Sequence, residues 1–328
     1  MLAYVTGATG CVGRNLIDTL LQHNCDVVVL HRKSSDLSKL HGCDVKYIEV
    51  DLHNLQSTNI ALARGGDAVF HVAANVQHSK RHNDQQWLDN VVGTTNLVES
   101  CLRAHIGRFI FTSTGAAGMC DGMTMNEMIQ YRRKSNYAVT KKLSEVAVQN
   151  GILRGLDAVI LRIPIVVGKY DYNNYSQIFN LLQKRKLKAS IAGHLTFGNA
   201  TDIANAHLSA YEHGHLGSTY YLGGEFTTWH DLCVRASWLL GVKPPMKPLP
   251  LCFYHGLARW LAIVSYFTGK EPLITPELVH LMSTTSTDFV TPAEYSRTEN
   301  ELGYVSSPLS QSLVECYQWL LLNKGMKT

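Results

Sequence analysis

Tyr4-Val5-Thr6-Gly7-Ala8-Thr9-Gly10-Cys11-Val12-Gly13 decides the reading of this chain. Leu2 to Val5 is a short apolar run that reads as a buried strand, and glycines follow it at a spacing of three residues. Beyond them Val12, Leu16 and Leu20, flanked by Ile17 and Leu21, recur at helical spacing. An ordinary glycine-rich turn can look the same locally, but a glycine pattern between strand and helix carries more weight. Gly7 suits the tight turn, Gly10 lacks the Cβ that would keep a pyrophosphate from the backbone, and Gly13 lets helix pack on strand. The exposed N–H groups and dipole at the helix start favour a phosphate pair. The stretch, with Thr9, Cys11 and Val12 inside it, reads as a dinucleotide-binding turn.

Composition sets the outer bounds. With 328 residues, 45% hydrophobic and 17% charged, the chain can bury a full core and is not a disordered polymer. Its net charge of +4 is too small to point to nucleic acid, which wants a concentrated basic face. The one dense basic run, Lys184-Arg185-Lys186-Leu187-Lys188, reads as a solvated helix end. Eight cysteines are scattered without a Cys-x-x-Cys pair, and the histidines form no ligand spacing, so no metal site is expected. That cysteine usage fits a reducing cytoplasm, and Met1 runs straight into the first strand, so no leader is expected. Leu249 to Phe267 is strongly apolar but broken by Pro250, His255, Gly256 and Arg259. We expect a buried helix lining a lipophilic pocket there, with peripheral membrane contact as the alternative.

Along the chain, Asp26 to Leu30 reads as a second buried strand, ending in His31-Arg32-Lys33. An acid at this strand end selects NAD through the ribose hydroxyls, whereas Arg accommodates the 2′-phosphate of NADP. The first acid is Asp36, so Arg32, beside Lys33, points to NADP(H) over NAD(H); a solvated basic pair is the alternative. A third strand, Val45 to Val50, leads to Asp51-Leu52, placed to meet an adenine. A fourth, Asp67 to Val72, ends in Ala73-Ala74-Asn75, small enough to let a ribose pass. Residues 76–86 read as a loop bordering the site, and a helix is expected from about Trp87 to His105. The strand from Arg108 then delivers Thr112-Ser113-Thr114 at its carboxyl end, where open α/β sheets bind ligands. Downstream, Asn136-Tyr137-Ala138-Val139-Thr140-Lys141 opens a helix on which Tyr137 and Lys141 share a face. A phenol ionises near 10, and an adjacent ammonium and the positive charge of an oxidised nicotinamide would both bring it closer to neutrality.

These motifs give the resemblance. The chain resembles the extended short-chain dehydrogenases/reductases of the NAD-dependent epimerase/dehydratase superfamily, in particular dihydroflavonol-4-reductase-like and hopanoid-associated epimerase-like members. TGATGCVG, HVAAN at 71–75, NVVGTTNLVE at 90–99, FTST at 111–114 and YAVTK at 137–141 carry it in the first half. LRIPIVVG at 161–168, TDIANAHLSA at 201–210 and GKEPLITPELV at 269–279 carry it in the second. The resemblance implies a Rossmann-type doubly wound parallel sheet in an α/β fold, with a smaller, mostly C-terminal substrate lobe. Residues 1–167, rejoined by about 196–224, would be the nucleotide domain, and 168–195 with 225–328 the lobe. It also implies Tyr137 as proton donor, Lys141 on the ribose, Thr114 on the substrate oxygen and Asn90 in support. Thr114 stands where the pattern usually has Ser. Ser113 and Thr112 would border the cofactor, and Pro164, Ile165 and Val167 the carboxamide, although the proline sits one place later than usual. A homodimer is implied as well.

In the remainder, Tyr170 to Tyr175 reads equally as a pocket rim or a solvent loop. A helix opened by Thr201-Asp202, the strand Tyr220 to Leu222 and a last helix striped by Leu309, Leu313, Cys316 and Leu320 are expected. The expected activity is hydride transfer between nicotinamide and a carbonyl or secondary alcohol of a lipophilic small molecule. A nucleotide-sugar epimerase or dehydratase is the first alternative, disfavoured because His194 to Ala200 lacks the Arg such relatives carry for the diphosphate. A non-catalytic NADP-binding regulator is the second.

Overall fold

The computed structural model describes residues 1–172, 175–268, 272, 274–284 and 290–324. Asn173 and Asn174 of the tyrosine-rich stretch lie outside the described residues, as do 269–271 and 273 of the 269–279 motif.

Apolar runs make the main sheet. β1 (Leu2–Thr6), β2 (Asp26–His31), β3 (Lys46–Glu49), β4 (Ala68–His71), β5 (Arg108–Thr114), β6 (Ala158–Ile163) and β9 (Thr219–Tyr221) pair in the order β3-β2-β1-β4-β5-β6-β9. Every pairing is parallel. Such strands are covered on both faces, which is why β1 and β4 read as nearly continuous hydrophobic runs. One face is covered by α1 (Cys11–Gln22) and α8 (Ala200–Glu212), the other by α2 (Leu55–Leu62), α4 (Gly93–Arg103) and α6 (Asn136–Leu153). The chain leaves β1 toward β2 and β3 on one side and later returns to β4 on the other. The crevice between the carboxyl ends of β1 and β4 is therefore the topological switch point, where this class of sheet takes its ligand.

A smaller sheet, β7 (Ile165–Val167), β8 (His194–Asn199) and β10 (Glu225–Thr228), runs in the order β10-β8-β7. It shares a core with α7 (Gln177–Gln183), α9 (Trp229–Leu240) and α13 (Leu309–Lys324). Leu309, Leu313, Cys316 and Leu320 are all buried there. The short helices α3 (Asn83–Trp87) and α5 (Met125–Tyr131) flank α6. α10 (Leu251–Thr268) and α11 (Pro276–Ser283) form a further cluster, and α12 (Pro292–Leu302) packs on β9 and α8.

Two expectations are corrected. The 76–86 stretch is not irregular throughout, because α3 begins at Asn83. Its polar residues look outward in sequence, but the buried Gln86 amide donates to Asn75 O at 3.1 Å and Gln77 O at 2.8 Å, which satisfies it inside. The helical path then passes through a π turn at 88–92 and ends at Arg103, short of His105, which adopts φ +52°. The second correction concerns the apolar segment 249–267. It does form a helix, but among its described side chains only Tyr254, Ala258 and Ser265 are buried, while Phe253, Trp260, Ile263 and Phe267 are exposed. The side that carries Tyr254 and Ala258 packs with Ile191, Val279 and Met282.

Candidate active site

The glycine turn has the geometry a pyrophosphate needs. Gly7 adopts φ +70°, and a Cβ there would stand 2.6 Å from Ala73 N, so the turn after β1 rests against the end of β4. A Cβ on Gly13 would stand 2.2 Å from Gly7 O. At Gly10 the only near atom is Gly7 O, 3.3 Å away, and the residue is exposed, leaving its outer face open to a ligand. Among the described residues no side chain caps α1, so its first-turn amides remain available to an anion. Thr9 and Val12 are half-buried in this turn. Cys11 turns away from it: the thiol donates to Lys169 O at 3.4 Å, and burial pushes its pKa well up.

Arg32 and Lys33 are exposed just beyond β2. The first acid after them is already engaged, since Asp36 Oδ1 accepts Ser38 N at 3.2 Å and Ser38 Oγ at 2.5 Å. Asp51 is exposed, and Leu52 lies against Gly93. Ala73 and Ala74 sit at the switch point, but Asn75 does not present its amide there. Its Nδ2 donates to Asp89 Oδ2 at 2.8 Å, and its Oδ1 accepts Gln77 N at 3.1 Å.

Behind the crevice runs a directional chain of hydrogen bonds. Ala73 N donates to Thr6 Oγ1 at 3.1 Å, and Thr6 Oγ1 pairs with His71 Nδ1 at 2.8 Å. His71 Nε2 meets Thr94 Oγ1 at 2.9 Å, and that hydroxyl donates to Asn90 O at 2.5 Å. Both hydroxyls are satisfied only if Nδ1 accepts and Nε2 donates, which makes His71 a neutral imidazole; burial holds its pKa at about 3. Asn90 is buried in the π turn. Its Oδ1 accepts Asn75 N at 2.7 Å, and its Nδ2 donates to Thr140 Oγ1 at 3.1 Å. The widened turn frees Asn90 O to accept Ser144 Oγ at 2.7 Å as well, so Asn90 ties the end of β4 to α6.

At the end of β5 the Thr114 hydroxyl, whose oxygen accepts Ala116 N at 3.3 Å, acts on the Tyr137 phenol to favour its ionised form. Lys141, one turn on, is not among the groups that shift the phenol in the protein alone. Burial raises Tyr137 to about 12, against the opposing Thr114 hydroxyl, and Glu277 raises it further. Burial likewise lowers Lys141 to about 7, and its Nζ donates to Thr112 O at 2.8 Å over the Phe111 ring. Both groups lose water without gaining a strong opposite charge beside them, so each is pushed toward its neutral form.

The hydroxyls preceding Thr114 are also committed elsewhere. Thr112 Oγ1 pairs with His207 Nε2 at 2.7 Å, and the buried Ser113 Oγ donates to Glu145 Oε1 at 2.5 Å. Neither side chain faces a cofactor, contrary to expectation. Their partners are a buried imidazole and a buried ion pair, Glu145 with Arg162, that distant parts of the chain supply. Val167 is similarly lost to the lobe core, whereas Pro164 and Ile165 stay half-buried between the sheets.

The NAD dependent epimerase/dehydratase family profile matches residues 3–223. The chain belongs to this family. Its members are oxidoreductases and epimerases of the extended short-chain dehydrogenase type that use a nicotinamide cofactor. Similar proteins include sterol demethylase protein B of Methylococcus capsulatus, 28% identical over 97% of this chain and 98% of its own. The crystal structure of gox2253 superposes with a TM-score of 0.82 at 26% identity, covering 99% of both chains. The Bordetella bronchiseptica enzyme WbmH, solved in complex with NAD+, shares the fold with a TM-score of 0.73 at 19% identity, over 97% of this chain and 98% of its own.

Sequence reasoning missed several residues of this family member's site. Glu277 reaches from α11 to the start of α6, where its Oε1 accepts Ser135 Oγ and Tyr137 N, both at 2.9 Å. His78 meets the Tyr137 ring edge-on at 5.4 Å. Its Nδ1 is buried without a hydrogen-bond partner among the described residues, 4.0 Å from Glu277 Oε1. In the tyrosine-rich stretch, Tyr170 and Tyr172 pack on Trp319 instead of rimming a pocket. Tyr175 alone is electrostatically coupled to Tyr137, and its ring meets Trp229 at 5.6 Å. A lone Glu inside an apolar helix was the one available signal for Glu277. His78 offered none beyond its place in a polar loop.

Proposed function

We propose that this protein is an NADP(H)-dependent oxidoreductase acting on a carbonyl or secondary alcohol of a lipophilic small molecule. The observation that carries the reading is the open glycine turn at the switch point, with the buried Tyr137 phenol sensing the Thr114 hydroxyl at the carboxyl end of β5. The glycine turn fits a pyrophosphate, because Gly10 is open and a side chain at Gly7 or Gly13 would collide with backbone. Gly7 to Gly13 would hold the phosphates, Arg32 and Lys33 the 2′-phosphate, and Asp51 and Leu52 would border the adenine. When bound, the dinucleotide supplies or accepts the hydride.

The chain's own residues handle the proton. A phenol held near 12 keeps its proton at neutral pH, so Tyr137 is an acid ready to donate to a carbonyl oxygen. Thr114, beside the same phenol, can turn its one hydroxyl proton to that oxygen as charge develops on it. Lys141 is anchored on Thr112 O in the same wall and holds a proton with a pKa of about 7. Asn90 fixes the spacing between the β4 end and the helix that carries Tyr137.

The lipophilic substrate is supported by the apolar α10–α11 cluster, which packs on Trp229 and whose Glu277 accepts Tyr137 N; the Trp229 ring meets Tyr175 in turn. The similar Methylococcus protein, named for a sterol reaction, points the same way. The deciding experiment follows NADPH absorbance with sterol-like, flavonoid-like and simple β-keto compounds, using wild type and Tyr137→Phe. Stoichiometric NADPH loss is expected, falling on the order of 10²- to 10⁴-fold in the variant while NADPH affinity is kept. Conversion of a nucleotide sugar with no net cofactor loss would instead establish the epimerase alternative.

A further inference from the structure

The exposed side of α10 is organised. Phe253, Trp260, Ile263 and Phe267 are 51%, 59%, 59% and 80% exposed. At 100° per residue they fall on one stripe of the helix. The opposite side is fixed to the protein, for Tyr254 and Ala258 pack with Ile191, Val279 and Met282, and Tyr254 OH donates to Ser190 O at 2.5 Å. The stripe therefore cannot be buried by rolling the helix inward without breaking that cluster. Arg259 is the only Lys, Arg, Asp or Glu in the helix. No helix among the described residues is long and apolar enough to cross a membrane, so a surface position is the one open to α10.

A second observation concerns charge. The basic run read from sequence as a solvated helix end lies beside the segment leading into α10. Met246 N donates to Lys188 O at 2.9 Å, and Ser190 N donates to Met246 O at 3.3 Å. Lys184, Arg185, Lys186 and Lys188 thereby join Lys243 and Lys247, and all six are exposed. The sequence has no acid between Asp171 and Asp202, or between Asp231 and Glu271. Apolar stripe and acid-free basic rim occur together, next to one another in the fold.

We propose that α10 and this basic rim dock the protein onto an anionic lipid bilayer, with the helix lying in the interfacial plane. An exposed Trp on the apolar stripe and flanking Lys and Arg are the side chains that an interface of acyl chains and phosphate headgroups accepts. A second copy of the chain suits this surface less well, because a two-fold contact sets each patch against itself and would bring like charges together. The docked face connects to the catalytic side, since Arg81 of the loop bordering the site donates to Ser265 O of α10. The surface argument stands independently of which substrate is turned over.

The test is vesicle co-sedimentation of the full chain, with phosphatidylcholine vesicles with and without phosphatidylglycerol. Trp260→Glu/Ile263→Glu and Lys184→Gln/Lys186→Gln/Lys188→Gln are compared, with light scattering and NADPH binding as fold controls. Binding to the anionic vesicles is expected to weaken with salt and to drop on the order of tenfold or more in each variant, with NADPH binding kept. Failure of wild type to bind either vesicle overturns the proposal. So does full binding by the Trp260/Ile263 variant, or a wild-type dimer that this variant converts to monomer without any effect of lipid.

Discussion

Glu277 Oε1 accepts the backbone N–H of Tyr137 at 2.9 Å, so a carboxylate from α11 caps the helix that presents the phenol. Ser135, the N-cap of α6, donates its hydroxyl to the same oxygen. An anion at a helix N-terminus is stabilising by about 0.3–1 kcal/mol, up to about 2 when partly buried. This contact also couples the position of α11 to the catalytic wall. Burial is the main cause of the high Tyr137 pKa, and the Glu277 charge adds to it. Glu277→Gln keeps the shape and removes the charge, so the Tyr137 pKa falls from about 12. In the reducing direction the alkaline limb of kcat/KM against pH should then move to lower pH. An unmoved limb, in a variant that still folds, shows that the reacting group does not sense this carboxylate.

Thr114 offers a test by graded substitution. Thr114→Ser keeps the hydroxyl that acts on Tyr137 and loses only a methyl, so turnover should remain within a few-fold of wild type on the scale of one small apolar contact. Thr114→Val keeps the shape and loses the hydroxyl, and kcat should drop by about 10²-fold. Steady-state kinetics on both variants decides it. Similar losses in the two would mean that the methyl, not the hydroxyl, matters.

Arg32 reports the choice of cofactor. It is exposed beyond β2, and the nearby Asp36 is engaged with Ser38. A charge-assisted hydrogen bond to a phosphate contributes about 1.5–3 kcal/mol, so Arg32→Ser should weaken NADPH binding by about 10- to 100-fold. NADH binding should stay nearly constant. Titration of protein fluorescence with each dinucleotide separates the two, and equal losses for both would remove the assignment to NADP.

How much of this was legible in the sequence depends on how local each cause is. Gly7, Gly10 and Gly13 act through their own backbone and immediate neighbours, so their spacing carried the turn directly. The individual strands and the Tyr137 helix followed from apolar runs and helical spacing, and the doubly wound sheet from the family resemblance. Ser113 misled because its hydroxyl is claimed by Glu145, which is 32 residues away. Glu277 showed only as a lone acid in an apolar helix, because its partner Tyr137 is 140 residues away. For α10 the apolar content was plain, but which faces are covered depends on what α11 and Ile191 offer it. Lys141 is a different case: helical spacing gave its position, and burial lowers its pKa.

The Arg162–Glu145 pair is where stability is most exposed to a single change. Arg162 Nη2 donates to Glu145 Oε2 at 2.6 Å and Nε to Oε1 at 2.8 Å, with both side chains almost wholly buried. Arg162 also bonds Asp121 and the Tyr221 hydroxyl, and its guanidinium is held charged by these partners despite burial. Removing one member of a buried pair leaves the other uncompensated, at about 3–5 kcal/mol, whereas an apolar pair of similar volume can be close to neutral. Glu145→Ala and Arg162→Ala should each lose that much in urea unfolding. Glu145→Leu/Arg162→Met should lose clearly less than the two single losses added together. Simple additivity would show the pair is not acting as a unit.

Two buried imidazoles set the acid limb of stability. His71 and His207 are fully buried, with pKa values lowered by burial to about 3 and about 4. His207 Nδ1 faces Ile203 O at 2.7 Å, an acceptor only, so the proton sits on Nδ1 while Nε2 accepts from Thr112. In the unfolded chain histidine titrates near 6.5. Folded pKa values below that mean the unfolded state binds more protons as pH falls, so stability is present above about 6.5 and lost on acidification toward 3–4. Lys141, lowered to about 7, changes stability only above that pH. The carboxylates with lowered values, such as Glu99 and Glu301, act below the ordinary glutamate value of 4.5. The interval between about 6.5 and 4.5 therefore isolates the histidines, at about 1.4 kcal/mol per pH unit for each. Replacing His207 with Gln should remove one proton's share of that slope in urea unfolding followed across this interval. An unchanged slope would place the acid sensitivity in other groups, with His280, also lowered by burial, the next to replace.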